Sequence, residues 1–170
     1  TNTARNNNRA FGIQTSAVMA GGYSTALEAE AYEYDGTDWT TVASLADSRE
    51  ALASFGKTSS TVGVFGGDAP GAVGKTELFD GSSWTEVGDL NTARSSLGGT
   101  GTTPAGIATG ALPVVTTVEE WDFSTTLKAG TWASGGALNS KLGDHADGGA
   151  GTQTAALVAG GYSPAPPGDY

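Results

Sequence analysis

Tyr34-Asp35-Gly36-Thr37-Asp38-Trp39-Thr40-Thr41-Val42 and Phe79-Asp80-Gly81-Ser82-Ser83-Trp84-Thr85-Glu86-Val87 are two copies of one pattern, about 45 residues apart. Each places an aromatic before Asp-Gly and a Trp shortly after it. Asp-Gly between two strand-like runs is hairpin chemistry, because the Asp side chain caps the turn and Gly accepts a left-handed backbone. The pattern therefore predicts one strand ending at the aromatic and a second returning from the Trp. Glu30 to Tyr34 and Thr76 to Phe79 are the first strands, with a third copy at Thr117 to Trp121; Trp39–Val42 and Trp84–Val87 are the returning ones.

Upstream of each copy stands a short apolar run that ends in paired glycines. Ser16-Ala17-Val18-Met19-Ala20 precedes Gly21-Gly22, Thr61-Val62-Gly63-Val64-Phe65 precedes Gly66-Gly67, and Ala155-Ala156-Leu157-Val158-Ala159 precedes Gly160-Gly161. Short apolar runs bounded by turn residues read as buried strands. A single glycine recurs before each run, at Gly12, Gly56, Gly101 and Gly151, and a basic residue opens each unit, at Arg5, Arg49, Arg94 and Lys141. A period of this length with glycine and aromatic landmarks is the sequence form of a propeller blade or a similar β-unit. Ser24 to Ala31 has helical propensity, but its counterpart, Asp68 to Thr76, contains Pro and two glycines among other turn residues. A repeat keeps its secondary structure between copies, so no helix is expected there.

The units run over residues 1–45, 46–90, 91–138 and 139–163, followed by a Pro-rich tail or link at 164–170. The third is degenerate: Trp121-Asp122-Phe123 stands for aromatic-Asp-Gly, and Trp132 comes six residues late. The fourth lacks the aromatic-Asp-Gly and Trp half.

The chain has 18 acidic and 8 basic residues, a net charge of −10, and no cysteine. An acidic surface disfavours phosphate backbones and anionic lipid, so neither nucleic-acid binding nor membrane insertion is expected. Without cysteine there is no disulfide framework and no thiolate metal site. No apolar run is long enough for a transmembrane helix. Only 15% of residues are charged, while glycine supplies 27 positions, which suits short strands joined by tight turns.

The apolar strand ending in Gly-Gly, the aromatic several residues on and the Trp at a fixed short distance resemble the kelch family of repeats. The likeness covers residues 1–161 and departs from the family in the short spacing from Tyr34 to Trp39 and from Phe79 to Trp84. It implies an all-β fold of four-stranded blades in a kelch-like β-propeller. About three and a half blades are visible, fewer than the 4–8 that close a propeller. The expectation is therefore a larger propeller continued beyond Tyr170; closure with another subunit or arrangement is the alternative. The wording of Asp80 to Arg94 and of Gly149 to Leu157 is similar to kelch-like arrays in structural proteins of marine tailed phages. That similarity implies a virion component, such as a fibre, spike or decoration; similar repeats also occur in bacterial surface proteins.

Candidate chemistry is sparse. His145, between Asp144 and Asp147, is the single histidine. Alone it builds no His-pair metal centre, no Asp-x-Asp-x-Asp-Gly calcium loop is present, and a Ser-His-Asp triad would depend on it entirely. Copper-radical oxidases of the kelch type need a Cys–Tyr crosslink, which this chain cannot form. Glu119-Glu120 and Glu30 with Glu33 are formal glycosidase pairs, yet adjacent strand residues face opposite sides and the glutamates recur at Glu77 and Glu119 by register. Gly98-Gly99-Thr100-Gly101 lacks the Lys-Ser/Thr of a phosphate loop. No catalytic, cofactor-binding or metal-binding residues are assigned. Arg5, Arg49, Arg94 and Lys141 form either a ring of cations at a propeller mouth or a repeated structural contact, and the period favours the second. Trp39 and Trp84 are expected in inter-blade packing rather than in sugar stacking.

The reading is a non-enzymatic structural and interaction module of a virion or extracellular surface. The loops Asp68–Lys75 and Ser124–Gly130 would present contacts to other virion or surface proteins, or to a second copy in self-association. A glycan-binding receptor or adhesin module on a host glycan is the alternative, and a propeller glycoside hydrolase the third.

Overall fold

The structure, a computed structural model, describes residues 3–124, 129–139 and 149–158. Regular structure among them is entirely β. The strands β1 (Arg9–Ile13), β2 (Ser16–Ala20), β3 (Ala31–Tyr34) and β4 (Trp39–Val42) form one antiparallel sheet in chain order. A second sheet repeats the order with β5 (Ala53–Gly56), β6 (Val62–Phe65), β7 (Thr76–Phe79) and β8 (Trp84–Glu86). A third uses β9 (Gly98–Thr102), β10 (Ala105–Thr109), β11 (Val118–Ser124) and β12 (Ala129–Ser134). The hairpin of β13 (Gly149–Thr152) and β14 (Ala155–Val158) follows. His145, Lys141, the Gly160-Gly161 pair, Tyr162 and the tail lie outside the described residues, as does the middle of the Ser124–Gly130 loop.

The aromatic and the Trp of each copy pair across a hairpin, Tyr34 with Trp39 and Phe79 with Trp84. Asp35 and Asp80 close these turns through backbone N–H groups: Thr37 and Asp38 donate to Asp35 Oδ1 at 2.8 and 2.9 Å, and Ser82 and Ser83 donate to Asp80 Oδ1 at 2.8 Å each. Gly36 and Gly81 take the left-handed conformation the turn requires, at φ 100° and 97°. In the third sheet Trp121 pairs with Trp132 in the same register. The six residues by which Trp132 is late lengthen the hairpin, since β11 runs on to Ser124 before the chain returns. Residues 24–26 form a bend, and no helix occurs over 24–31. Tyr23 bridges Leu27 there, as Asp68 bridges Ala72 one unit on.

The sheets pack face to face in sequence order, with β1 beside β5, β5 beside β9, and β9 beside β13. Val18 and Ala20 of the first sheet meet Val62, Val64 and Phe79 of the second in the two smaller core clusters. The largest cluster joins the second sheet to the third, where Phe65 lies 4.8 Å from Trp132 and Phe55 lies 5.7 Å from Trp121 between ring centroids. Full burial of one such side chain contributes roughly 1.5–3 kcal/mol. These contacts lie between sheets, so stability resides in the joints as much as in the sheets.

Backbone hydrogen bonds lock the same joints. Gly22 N–H donates to Arg49 O at 2.9 Å, and Gly67 N–H donates to Arg94 O at 2.8 Å. The preceding glycines are tighter still: a Cβ on Gly21 would stand 2.6 Å from Arg49 O, and one on Gly66 would stand 2.7 Å from Arg94 O. Both have positive φ, so the paired glycines are where the next unit's chain passes closest. A second line of bonds joins Ala51 N–H to Asn7 O and Ser96 N–H to Ala51 O, at 2.9 Å each. Asn7, Ala51 and Ser96 all adopt left-handed φ near 50°, at 50°, 52° and 51°.

Two outcomes are expected. Gly66→Ala forces a side chain onto Arg94 O in a left-handed conformation, so urea unfolding should show a loss of at least about 1–2 kcal/mol. The backbone N–H bonds hold Asp80 well below the usual carboxylate range, at about 2. Because the folded value is the depressed one, its stabilisation is present above the unfolded pKa and is lost as pH falls from about 4 towards about 2. Acid titration of thermal stability should show that loss, and Asp80→Ala should flatten it.

Candidate functional site

The recurring basic residues are the first candidates, and the structure buries two of them, Arg49 and Arg94. Arg49 is 0% exposed and Arg94 3%. Arg94 Nη2 donates to Glu119 Oε1 at 2.7 Å, and Arg49 Nη2 lies 2.9 Å from Glu77 Oε1. The second carboxylate oxygen catches the chain entering the unit: Glu77 Oε2 accepts from Ala46 N–H at 2.9 Å, and Glu119 Oε2 accepts from Asn91 N–H at 2.7 Å. Arg94 Nη1 adds bonds to the carbonyls of Gly110 and Thr117 at 3.4 and 3.2 Å. Burial draws both guanidinium pKa values below the ordinary one, while the facing glutamate opposes that shift. These groups are structural staples, and the mouth-ring reading has no free cation to use at Arg49 or Arg94.

The first unit achieves the staple differently. Register places Tyr32 where the other units have Glu77 and Glu119. The carboxylate comes from the neighbouring Glu30, which accepts from Arg5 Nη2 at 2.8 Å and from Tyr32 Oη at 2.7 Å. These bonds lower the Glu30 pKa, the Tyr32 hydroxyl contributing most, and raise that of Tyr32. Arg5 also sits 5.1 Å from the centre of the Tyr32 ring. The Glu119–Glu120 pair thus falls apart: Glu119 is buried at 1% exposure and bonded to Arg94, whereas Glu120 is partly exposed on the other face of β11. Among the described residues there is no cluster of three or more His, Cys, Asp or Glu fit to hold a metal.

The tryptophans divide. Trp121 and Trp132 are buried, at 0% and 5%. Trp132 Nε1 donates to Thr76 Oγ1 of the preceding sheet at 3.0 Å. Trp84 Nε1 likewise donates back to Ala43 O at 2.9 Å, and its ring packs against both smaller core clusters. Trp84 therefore takes the inter-sheet role expected of it. Trp39 does not: it is 39% exposed, its ring tilted against Tyr34 at 5.2 Å, because no described sheet stands on that side of β1–β4.

Among the described residues, shallow cavities lie elsewhere. One of about 210 Å³ opens between β1, β5 and β9, where Arg9 Nε donates to Ser54 Oγ at 3.2 Å. No repeat pattern marks Arg9, which occupies a strand position held by Ala53 and Gly98 in the second and third units. A second, of about 460 Å³, is flanked by Lys75 and Asp47, which are themselves ion-paired. The third, also about 460 Å³, is lined by Leu78, Phe79, Val87 and Phe123 between the second and third sheets. No helix among the described residues is long and apolar enough to cross a membrane. No protein-family model matches the chain, and no curated protein matches it.

The staples generate a measurable expectation. Removing one partner strands a buried charge, so Glu119→Ala should lower unfolding stability by about 3–5 kcal/mol. The double variant Arg94→Met with Glu119→Leu should lose clearly less than the sum of the two single changes, by about 1–3 kcal/mol, in a denaturant double-mutant cycle.

Proposed function

We infer that this chain is a non-enzymatic structural and interaction module, built of kelch-like propeller blades, on a virion or extracellular surface. The observation that carries the reading is the fate of its recurring polar residues. Arg49, Arg94, Glu77 and Glu119 recur because they hold each sheet to the chain entering it, and that task leaves them no freedom for substrate chemistry. The meander order of each sheet and the side-by-side inner strands are what blades of a propeller require. On such a scaffold, contacts fall to the exposed loops, including Asp68–Lys75, and to uncovered apolar faces. Other virion or surface proteins are the partners this arrangement suits.

A glycan-binding module is the second reading, favoured by one observation: Trp39 and Tyr34 present an accessible aromatic pair. The two readings separate in one pair of experiments. Antibodies raised against the chain should label the surface of intact tailed-phage particles in immunoelectron microscopy, and an absence of labelling on such particles would count against the virion assignment. Titration with host-type oligosaccharides should leave tryptophan fluorescence unchanged; saturable quenching lost in Trp39→Ala would favour the glycan reading.

A further inference from the structure

We propose that the Asp35–Gly36 turn is a site of spontaneous isoaspartate formation, and that the Ser82 and Ser83 hydroxyls hold the matching Asp80–Gly81 turn back from the same reaction. Both halves stand on the two hairpin turns alone, whatever the functional class.

In Asp-Gly the residue after the aspartate has no side chain to block the approach of its own backbone nitrogen to the carboxyl carbon. The glycine N attacks Asp Cγ: an N–Cγ bond forms, a Cγ–O bond breaks, and that oxygen leaves as water with the amide proton and one further proton. Water then opens the cyclic imide. When it adds at the backbone carbonyl, the original C–N peptide bond breaks and the chain runs on through Cγ. The main chain gains one carbon, the mass is unchanged, and no oxidant or reductant takes part. The cyclisation needs a carboxyl free to turn towards the glycine, and it proceeds from the protonated form far better than from the carboxylate.

Nothing crowds either glycine, since the nearest atoms to a Cβ would be Thr15 for Gly36 and Ser60 for Gly81, each at 3.4 Å. Both aspartates are exposed. They differ in what holds the carboxylate. Asp35 Oδ1 accepts from the Thr37 and Asp38 N–H groups at 2.8 and 2.9 Å, and no hydroxyl among the described residues bonds it. Asp80 has the matching pair of N–H bonds and hydroxyls as well: Ser82 Oγ donates to Oδ1 at 2.8 Å, and Ser83 Oγ lies 3.4 Å from Oδ1 and 3.3 Å from Oδ2. More bonds must break before Asp80 can turn to Gly81. Where the second turn has Ser83, the first has Asp38, a like charge whose side chain offers no donor. Hydrogen bonds to a carboxylate also favour its ionised form. Those from Ser83 N–H, Ser82 N–H and the Ser82 hydroxyl lower Asp80 to about 2, while Asp35 is lowered first by the Asp38 and Thr37 N–H groups. An extra main-chain carbon in the first turn would loosen the pairing of Tyr34 with Trp39.

Tryptic mapping reads the two sites separately, because residues 10–49 and 76–94 are each bounded by cleavage points and each carry one Asp-Gly. After prolonged incubation of the folded chain at neutral pH, electron-transfer fragmentation should find isoaspartate at Asp35 several-fold ahead of Asp80. In urea, where the turns are absent, the two sites should convert at matched rates. Ser82→Ala combined with Ser83→Ala should bring Asp80 of the folded chain towards the Asp35 rate. Equal conversion in the folded wild-type chain, more at Asp80, or none at either site overturns the proposal. A folded double variant in which Asp80 stays as slow as before overturns it as well. If that variant fails to fold, as judged by circular dichroism, the folded and urea-treated wild-type chains decide alone, and a ratio that urea leaves unchanged overturns it.

Discussion

The structure depends on a buried arginine that cannot be left alone. Arg49 and Arg94 enter the space between two sheets, where an unpaired guanidinium would cost several kcal/mol, and a glutamate on the third strand of the same sheet meets each one. The pair need not add net stability over a well-packed apolar isostere. What it supplies is direction. The carboxylate that holds the guanidinium also accepts a backbone N–H from the incoming chain, and the arginine's own carbonyl accepts from the second of the paired glycines in the preceding sheet. One residue thereby fixes the turn into its own sheet and the seat on the sheet before it. A slip of one residue would turn the glutamate to the opposite face of its strand and break all these contacts together.

The first unit shows which part of this arrangement is essential. It has Tyr32 at the glutamate position, yet Glu30 reaches Arg5 and the Tyr32 hydroxyl completes the triad. The requirement is therefore a carboxylate within reach of the arginine, not a glutamate at one register position. The variant is more solvent-accessible, with the Glu30 side chain at 48% exposure against 1% for Glu77. Screening weakens an ion pair in that setting, so the first staple contributes less than its buried counterparts.

In the first two units the last three strands of each meander were legible in the sequence because their determinants are local, whereas β1 and β5 were not marked by any residue pattern. Asp-Gly turns, a Trp at fixed spacing and apolar runs ending in Gly-Gly each encode a strand or turn within a few residues. Comparing Ser24–Ala31 with its counterpart disposed of a helix that propensity alone would have favoured. Other features were hidden for a physical reason. The left-handed positions Asn7, Ala51 and Ser96 carry three different residue types, since an inter-sheet hydrogen bond holds that conformation rather than a glycine. Arg9 has no counterpart at its position in the other units, so the repeat gave no means of marking it. The degeneracy of the third unit was legible as a late Trp132 but not as an extended hairpin with unchanged register. The exposure of Trp39 depends on what stands beside a sheet, which no local pattern records.

That last point follows from the construction itself. An array in which each sheet touches only its neighbours has the same joint repeated along its length, and any face left without a neighbour keeps the chemistry of a joint. In the first sheet Trp39, Tyr34 and Met19 retain the apolar character of positions that Trp84, Phe79 and Val64 use in a closed joint. The edge strand β4 is polar between its ends, with Thr40 and Thr41 exposed, and it is short, which limits strand-by-strand extension of the sheet. Its aromatic face is not protected in the same way. The sequence thus guards the first sheet against growth along its edge, while its face keeps the residue types that the joint between the first and second sheets uses.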